Sequence, residues 1–330
     1  MNNTLIQKNI KKYYSDVLVT SADLKTSACC INGDVSQYLQ KYLKNVHDEV
    51  QHKFYGCGSG RDCYLLAQLV GETGRVIGVD MTESQIAIAR KYIDYHMDLF
   101  GFYQPNVEFH QGFIENLSPL DIAEESVDII VSNCVINLSP DKEKVFREIF
   151  RLLKPGGELF FSDIFANRRI PRNLMSDPIL VGECLSGAMY IEDFRRLLKS
   201  IGINDYRVVR GHQVDISDPE INAKIGMIEF TSQTIRVFKN DFEDICENYG
   251  HVAYYKGTIQ EAPHEFVLDD HHVFETGLPV PVCGNTARML SESRFGCHFD
   301  LVGDFSTHYG PFDCGAASGN HSAAGMESCC

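Results

Sequence analysis

Residues 56–62 carry the sequence Gly-Cys-Gly-Ser-Gly-Arg-Asp, and this stretch decides the fold. Its alternating glycines are followed by an apolar run at residues 64–70, which predicts a tight loop that opens directly onto a helix. Glycines allow such a loop to approach a bound nucleotide closely, and the first amide groups of the helix point towards it. The sequence therefore predicts a nucleotide cofactor site at this loop.

The strand that should precede such a loop is missing from the sequence. Residues 45–55 are mostly polar and contain no run of four to six apolar residues. Beyond the loop, short apolar segments alternate with segments of helical periodicity, which predicts an α/β fold with a parallel, doubly wound sheet. The predicted strands, of which the third is expected to be buried, cover residues 75–80, 107–112, 127–133 and 158–163.

Asp80 ends the first of these predicted strands, one strand–helix unit after the glycine loop. A carboxylate at this position can accept hydrogen bonds from the ribose hydroxyls of an adenosine-containing cofactor. Both NAD and S-adenosylmethionine satisfy that geometry, so the loop and Asp80 alone do not separate the two cofactors.

Composition limits the classes of function. The chain has 330 residues, of which 44% are hydrophobic, and this length favours two modules. Its net charge of -15 argues against a nucleic-acid partner, because neutralising phosphates requires concentrated Lys and Arg. No stretch is typical of a membrane span or a signal peptide, so we expect a cytoplasmic protein without a membrane partner.

The chain contains twelve cysteines, which is a high number for a protein of a reducing compartment. No pair has the Cys-x-x-Cys spacing of a zinc knuckle, so the pattern favours metalloid or redox chemistry over a structural zinc site. Some of these cysteines, Cys63 and Cys246 among them, are better explained as small core residues.

Three downstream motifs resemble those of class I S-adenosylmethionine-dependent methyltransferases. They are Gly-Phe-Ile-Glu at 112–115, Ser-Asn-Cys-Val-Ile-Asn at 132–137 and Leu-Lys-Pro-Gly-Gly-Glu at 153–158. Their order and spacing imply a Rossmann-like methyltransferase domain with S-adenosylmethionine as the cofactor.

A narrower resemblance covers most of the chain, from about residue 10 to about residue 305. The sequence is similar to the arsenite methyltransferases in six segments, at residues 13–14, 21–26, 45–50, 54–58, 131–138 and 182–188. The resemblance implies methyl transfer from S-adenosylmethionine to thiolate-bound trivalent arsenic.

The resemblance also implies site residues. Cys134 and Cys184 match the arsenic ligands, Cys57 is a third ligand or redox partner, and Cys29, next to Cys30, matches a redox cysteine. Together these give the predicted catalytic set Cys29, Cys57, Cys134 and Cys184, of which the last three bind arsenic. The predicted cofactor-binding residues are Gly56, Gly58, Gly60, Arg61, Asp80, Met81, Phe113, Ile114, Glu115 and Asn133.

The implied chemistry needs no general base, because arsenic held by three thiolates attacks the methyl group with its own lone pair. The implied partners are arsenite or its glutathione conjugate as substrate, and thioredoxin or glutathione as the reductant that regenerates thiols. Two alternatives stay open: a methyltransferase for another small acceptor, and a non-catalytic variant that only binds arsenic through its cysteines.

The chain departs from the family pattern at the glycine loop. In the related proteins a linker and a buried first strand separate Tyr-Gly-Cys-Gly from Ser-Gly-Arg-Asp, whereas here the two sequences are joined at Gly58 and Ser59. Roughly eighteen residues are absent, enough for a linker and one strand of about five or six residues. A splice variant or a faulty gene model would produce such a chain.

The departure has two predicted consequences. Cys57 stands either for the arsenic-site cysteine or for the variable residue of the cofactor loop. The absent strand is central in a doubly wound sheet, so its two neighbours lose their partner, and unpaired buried backbone groups are costly. We therefore expect this chain to bind S-adenosylmethionine poorly or not at all.

The predicted organisation has four parts. They are an N-terminal helical segment with redox cysteines at 1–52, the methyltransferase domain at 53–204, a smaller α+β module at 205–312 and a tail at 313–330 that is rich in Gly, Ala and Ser. The tail is predicted to be disordered and ends in Cys329 and Cys330, which either capture arsenic or are dispensable.

Overall fold

The computed structural model describes residues 37–51, 57–175 and 177–314. Several predicted features lie outside these residues: the first part of the N-terminal helical segment, Cys29 and Cys30, Gly56, and Cys329 and Cys330.

The described chain alternates helices and strands up to residue 238 and is mainly strand and turn beyond it. Its helices are α1 (Gln37–Leu43), α2 (Asp48–Gln51), α3 (Arg61–Val70), α4 (Glu83–Lys91), α5 (Ile93–Phe100), α6 (Lys142–Leu152), α7 (Pro178–Gly182), α8 (Ile191–Ser200), α9 (Pro219–Ile225) and α10 (Gly284–Ser291). Its strands are β1 (Val76–Asp80), β2 (Val107–Gln111), β3 (Val127–Asn133), β4 (Leu153–Ala166), β5 (Met189–Tyr190), β6 (Arg207–Gln213), β7 (Phe230–Phe238), β8 (His251–Tyr255), β9 (Glu265–Val267), β10 (Val273–Glu275), β11 (Pro279–Val282) and β12 (Phe299–Val302).

The first sheet consists of β1 and β2 alone. The two strands are parallel, with Val76 opposite Val107 and Asp80 opposite Gln111. Their apolar side chains pack with those of α3, α4 and α5 into one core, in which the buried ring of Tyr64 lies against Phe109. The small sheet and its three helices position the glycine loop and Asp80.

The main sheet has the strand order β3-β4-β7-β6, with β5 at the end of β4. β3 and β4 are parallel, as predicted, whereas β7 runs antiparallel to both β4 and β6. The sheet is therefore mixed. Since β6 and β7 contribute two of its strands, the domain boundary that the sequence suggested at residue 204 falls inside this sheet.

The two sheets are not joined among the residues that the structure describes. β1 pairs with β2 only and β3 with β4 only, so both have lost the neighbour that a central strand would supply. The prediction that β3 is buried is wrong: Ile129 and Val131 are 38% and 45% exposed. An uncovered strand edge explains this exposure, since a buried sheet covers such side chains from both neighbouring strands and from helices on its faces.

The C-terminal module packs around a core of its own. β8 lies between β11 and β12 in an antiparallel sheet, and β9 pairs with β10. Tyr255, Phe274 and Phe299 fill the centre together with apolar residues of α10. This core also includes Phe238 at the end of β7, so the module packs against the main sheet.

No helix within residues 37–51, 57–175 and 177–314 is both long and apolar enough to cross a lipid bilayer.

The exposed edge of β3 leads to a prediction about self-association. Val131→Lys should lower the associated fraction of the purified chain by at least about twofold, because a charge on an unpaired strand opposes edge-to-edge pairing. Light scattering coupled to size-exclusion chromatography measures this fraction. Val70→Lys is a matched control, since Val70 is also 45% exposed but lies at the end of the helix α3. Equal effects of the two variants would contradict the prediction.

Candidate functional site

Cys134 and Cys184 are brought together from two separate segments. Cys134 follows β3 directly and Cys184 lies two residues after α7, yet the Cys184 thiol donates to the Cys134 carbonyl oxygen over 3.7 Å. Both side chains are buried, with exposures of 6% and 1%. Two of the four predicted catalytic cysteines thus share one buried place at the end of β3.

Both cysteines have a backbone conformation that side chains rarely adopt. Their φ angles are 53° and 59°, in the left-handed region that costs a non-glycine residue of order 1 kcal/mol or more. Only Asp121 and Glu125 share this feature among the non-glycine residues that the structure describes. Such strain persists where the surroundings fix it, and it is concentrated at functional sites.

A close contact between two loops fixes the pair. A β carbon at Gly187 would lie 2.0 Å from the carbonyl oxygen of Asn137, so only glycine allows the Cys184 loop to reach the loop after β3. Asn137 is held in turn by the Asp163 carboxylate, which accepts from its amide over 3.0 Å. The segment Gly182–Ala188 therefore carries both a predicted ligand and the residue that lets it approach.

Lys142 places a positive charge beside the pair. Its Nζ donates to the carbonyl oxygens of Asn137 and Ser139 over 3.2 and 3.0 Å. Burial lowers the pKa of Lys142 to about 8, against the opposing influence of Asp163, Cys184 and Glu115. At neutral pH the ammonium group is still protonated, and its charge favours the thiolate form of Cys184.

Cys57 lies in the loop before α3, among the residues of the first sheet. Its amide donates to Val79 on β1 over 3.2 Å, and its carbonyl accepts from the Gly60 amide over 2.7 Å. A hydrogen bond with Cys63, reinforced by burial, raises the pKa of the Cys57 thiol above its usual range. Cys57 therefore lies in the glycine loop before α3 and is held as a thiol.

The described residues do not assemble Cys57, Cys134 and Cys184 into one group of ligand atoms. The clusters of three such atoms within 4.8 Å of one another lie elsewhere in the described chain. The role of Cys57 as a third arsenic ligand stays a prediction that this arrangement does not support.

Asp80 and the glycine loop are joined directly. The Asp80 carboxylate accepts from the amides of Gly58 over 3.1 Å and Thr82 over 2.7 Å. Gly60 has φ 95°, and a β carbon there would lie 2.8 Å from the Phe109 ring, so the turn into α3 requires glycine. A carboxylate has about four acceptor sites, so these bonds are compatible with ribose hydroxyls. The acid and the loop fit the ribose end of S-adenosylmethionine.

Of the other predicted cofactor residues, Arg61 begins α3, and the rest lie at or just after the ends of β1, β2 and β3. Phe113 is largely exposed, Ile114 packs against the main core, and the Glu115 carboxylate accepts from the Ser139 hydroxyl over 2.7 Å. Arg61, Met81 and Asn133 are half-buried, and Asn133 ends β3 opposite Ser162. Apart from Arg61, these residues thus lie at the carboxyl ends of strands, where ligands of α/β sheets bind.

Two residues beside the cysteine pair were missed by the sequence analysis, Lys142 and Asp163. Asp163 lies near the carboxyl end of β4, the position that singled out Asp80 on β1, so the same rule would have found it. Lys142 begins α6 and has no motif of its own. Only the fold shows that its charge interacts with Cys184.

Comparisons with known proteins agree with this geometry. Residues 55–202 match a family described as a methyltransferase domain, and residues 249–321 match the arsenite methyltransferase C-terminal domain. The chain is 49% identical to an arsenite methyltransferase from Aquipseudomonas alcaligenes, over 94% of this chain and 95% of that protein. The chain belongs to the arsenite methyltransferases. Its fold is that of class I methyltransferases and its cofactor is S-adenosylmethionine.

Two further proteins are similar to this arsenite methyltransferase over most of its length. The human arsenite methyltransferase is 41% identical to it, over 89% of this chain and 83% of the human protein. The crystal structure of an arsenic(III) S-adenosylmethionine methyltransferase from Chlamydomonas reinhardtii superposes with a TM-score of 0.82 at 43% identity, and covers 85% of this chain and all of that one.

The depressed pKa of Lys142 predicts how stability depends on pH. In the folded protein Lys142 titrates near 8, and in the unfolded chain near 10.5. Between these values the unfolded chain binds more protons, so the free energy of unfolding rises with pH, by a total on the order of 3 kcal/mol from this group.

Lys142→Met removes this titration. The free energy of unfolding of the parent minus that of the variant should increase from pH 8 to pH 10.5. Denaturant unfolding at several pH values measures it. Lys144→Met, at an exposed position of the same helix, should show no such rise. A parent–variant difference that does not change with pH would show that burial does not lower this pKa.

Proposed function

We propose that Cys134 and Cys184 hold trivalent arsenic while it is methylated. The observation that carries this assignment is the convergence of two buried cysteines, each in a left-handed conformation, from segments fifty residues apart. Trivalent arsenic is a soft centre and selects thiolates over oxygen or nitrogen ligands. Two thiols at one buried place supply two of the three sulfur ligands, and a third comes from Cys57 after rearrangement or from glutathione on the substrate.

The residues around the pair have separate tasks. The Lys142 charge favours a thiolate at Cys184, and burial keeps water from the bound arsenic. The constrained loops fix the direction of the arsenic lone pair, so the protein contributes positioning and no proton transfer. S-adenosylmethionine supplies the electrophilic methyl group when it is bound.

We assign the cofactor contacts to the predicted residues of the loop and the strand ends. Asp80 would accept from the ribose hydroxyls, and Gly58, Gly60 and the start of α3 would lie along the rest of the nucleoside. Met81, Phe113, Ile114, Glu115 and Asn133 would line the remaining contacts. Thioredoxin or glutathione would return the redox cysteines to thiols, with Cys29 as the first of these, in the cytoplasm.

The arsenic assignment predicts the outcome of single substitutions. Cys134→Ser and Cys184→Ser should each lower arsenite methylation by at least about a hundredfold, because a hydroxyl does not replace a soft thiolate ligand. Methylated arsenicals are measured by chromatography with elemental detection, using arsenite, glutathione and S-adenosylmethionine. Cys297→Ser is the control, since this exposed cysteine lies in the C-terminal module. Undiminished methylation by either variant would exclude that cysteine as a ligand.

Loss of the central strand predicts weak cofactor binding. Among the described strands the loop is fastened to β1, through Cys57 and Gly58, and no described strand joins β1 to β3. Calorimetric titration with S-adenosylmethionine should give an affinity at least about tenfold below that of an intact relative, a difference of about 1.4 kcal/mol.

A chimera provides the control for cofactor binding. It carries the linker and first strand of the Chlamydomonas relative between Gly58 and Ser59, which should restore the sheet and tight binding. In that chimera Asp80→Asn should weaken binding by roughly tenfold or more, because an amide is a poorer acceptor for ribose hydroxyls. Tight binding by the unmodified chain would contradict the expected role of the strand.

A further inference from the structure

Two thiols of the C-terminal module lie outside the methylation site. The sulfur atoms of Cys283 and Cys314 are within 4.8 Å of each other, and neither residue is disulfide-bonded. Cys283 is the cap residue before α10, which packs in the core of this module, whereas Cys134 and Cys184 belong to a core that includes the end of β4. The proposed methylation chemistry leaves the pair in the C-terminal module unused.

A third sulfur atom belongs to the same group but is not part of a thiol. Cys246 is disulfide-bonded, and its sulfur lies 3.0 Å from that of Cys314. Thiolates are the form in which cysteine binds metals and metalloids, so a disulfide sulfur is not a ligand of this kind. The group therefore offers two thiols to a single ligand atom, those of Cys283 and Cys314.

Main-chain hydrogen bonds fasten both thiol segments to residues 246 and 247. The Phe312 amide donates to the Cys246 carbonyl oxygen over 2.8 Å, and the Gly284 amide donates to that of Glu247 over 2.9 Å. Phe312 lies two residues before one thiol, and Gly284 directly follows the other. Because the two bonds end on adjacent residues, they set the two thiols side by side as part of the folded module.

The surroundings stabilise a thiolate at Cys283. Its sulfur accepts from the Thr286 amide over 3.4 Å at the start of α10, and the Arg207 guanidinium lies 4.0 Å away. A hydrogen bond from the Cys314 thiol and the Arg207 charge hold the pKa of Cys283 well below its usual range, although its burial acts in the opposite sense. Arg207 is fixed in turn by two buried carboxylates.

We propose that Cys283 and Cys314 bind trivalent arsenic that carries one methyl group, at a site separate from the methylation site. Two sulfurs bound to one soft centre at about 2.3 Å each lie at most about 4.6 Å apart, so the observed spacing needs at most a small contraction. On binding of CH3As(OH)2, two As–S bonds replace two As–O bonds, and the hydroxyls leave with the thiol protons as two waters. Arsenic stays trivalent, so the step needs no oxidant or reductant.

The number of thiols selects the ligand. Trivalent arsenic forms three bonds, so two thiolates complete the coordination of a monomethylated centre and leave it neutral, which suits a buried site. Arsenite would keep one hydroxyl, a dimethylated centre has one exchangeable position, and zinc would need two further ligands. The identity of the ligand rests on arsenic methylation, the reaction of this family. The site itself does not depend on Cys134 and Cys184 being the methylation ligands.

Alkylation kinetics of the unmodified chain test the site. The chain is kept under nitrogen without added thiol, so that Cys283 and Cys314 stay thiols and Cys246 stays in its disulfide. Excess monomethylarsonous acid should slow the alkylation of Cys283 and Cys314 at the same concentration, by at least about tenfold, because a bound thiolate is not available as a nucleophile. Peptide mass spectrometry measures both rates. The exposed Cys297 is the internal reference, and its rate should stay unchanged.

Two single substitutions test whether the thiols act together. In the Cys283→Ser variant the arsenical should no longer slow the alkylation of Cys314, since one thiolate does not chelate the ligand. Cys314→Ser should remove the protection of Cys283 in the same way. Because Cys314 is only half-buried, this second variant keeps the buried cap of α10 in place. Cys297→Ser is the matched control and should leave the protection of both thiols as it is in the parent chain.

Arsenite and dimethylarsinous acid test the choice of ligand in the same assay. Each should need at least about a tenfold higher concentration to protect both thiols, because neither matches two thiolates. Three results would overturn the proposal: no protection by monomethylarsonous acid, protection of Cys314 that survives Cys283→Ser, and equal protection by arsenite. Since the assay needs neither cofactor nor turnover, its failure is distinguishable from a failure of arsenite methylation by this chain.

Discussion

The unpaired strand edges of β1 and β3, between which one central strand would lie, are the constraint on which the rest of the described structure depends. In a doubly wound sheet every central strand pairs on both edges, and the residues between Gly58 and Ser59 that would supply such a strand are missing from this chain. The consequence is two sheets in the described residues instead of one. The glycine loop takes part of the vacant edge, since the Cys57 amide bonds to Val79. The cofactor half of the site is thereby separated from the half that carries Cys134.

The arsenic half of the site is less affected, because its framework does not use the missing strand. β3 still pairs with β4, and the Cys134 amide extends that pairing to Ser162 over 2.8 Å. Gly187 and Asn137 hold the second loop against the first. A chain of this kind separates two properties that intact relatives combine: it keeps the thiol geometry, while its cofactor loop is attached to one sheet only.

Different surroundings favour the thiolate form at different cysteines of the described chain. Cys134 and Cys184 have strained backbones, and a nearby ammonium group favours a thiolate at Cys184. At Cys283 the start of a helix and an ion-paired guanidinium favour the thiolate. The surroundings of Cys57 have the opposite effect, because its hydrogen bond with Cys63 and its burial raise its pKa and favour the neutral thiol. Electrostatic surroundings thus distinguish cysteines that the sequence presents as equivalent.

The sequence by itself determined the fold class, the family and the absence of one strand, because glycine spacing, strand–helix alternation and local motifs are short-range features. It also placed β1, β2, β3 and Asp80 correctly. It did not place the Lys142 charge near Cys184 or predict that β3 is half exposed. Nor did it bring Cys246, Cys283 and Cys314 together, or extend the main sheet through β6 and β7. Only the tertiary structure decided these points, since each depends on contacts between distant segments and on which buried groups share a low-dielectric environment.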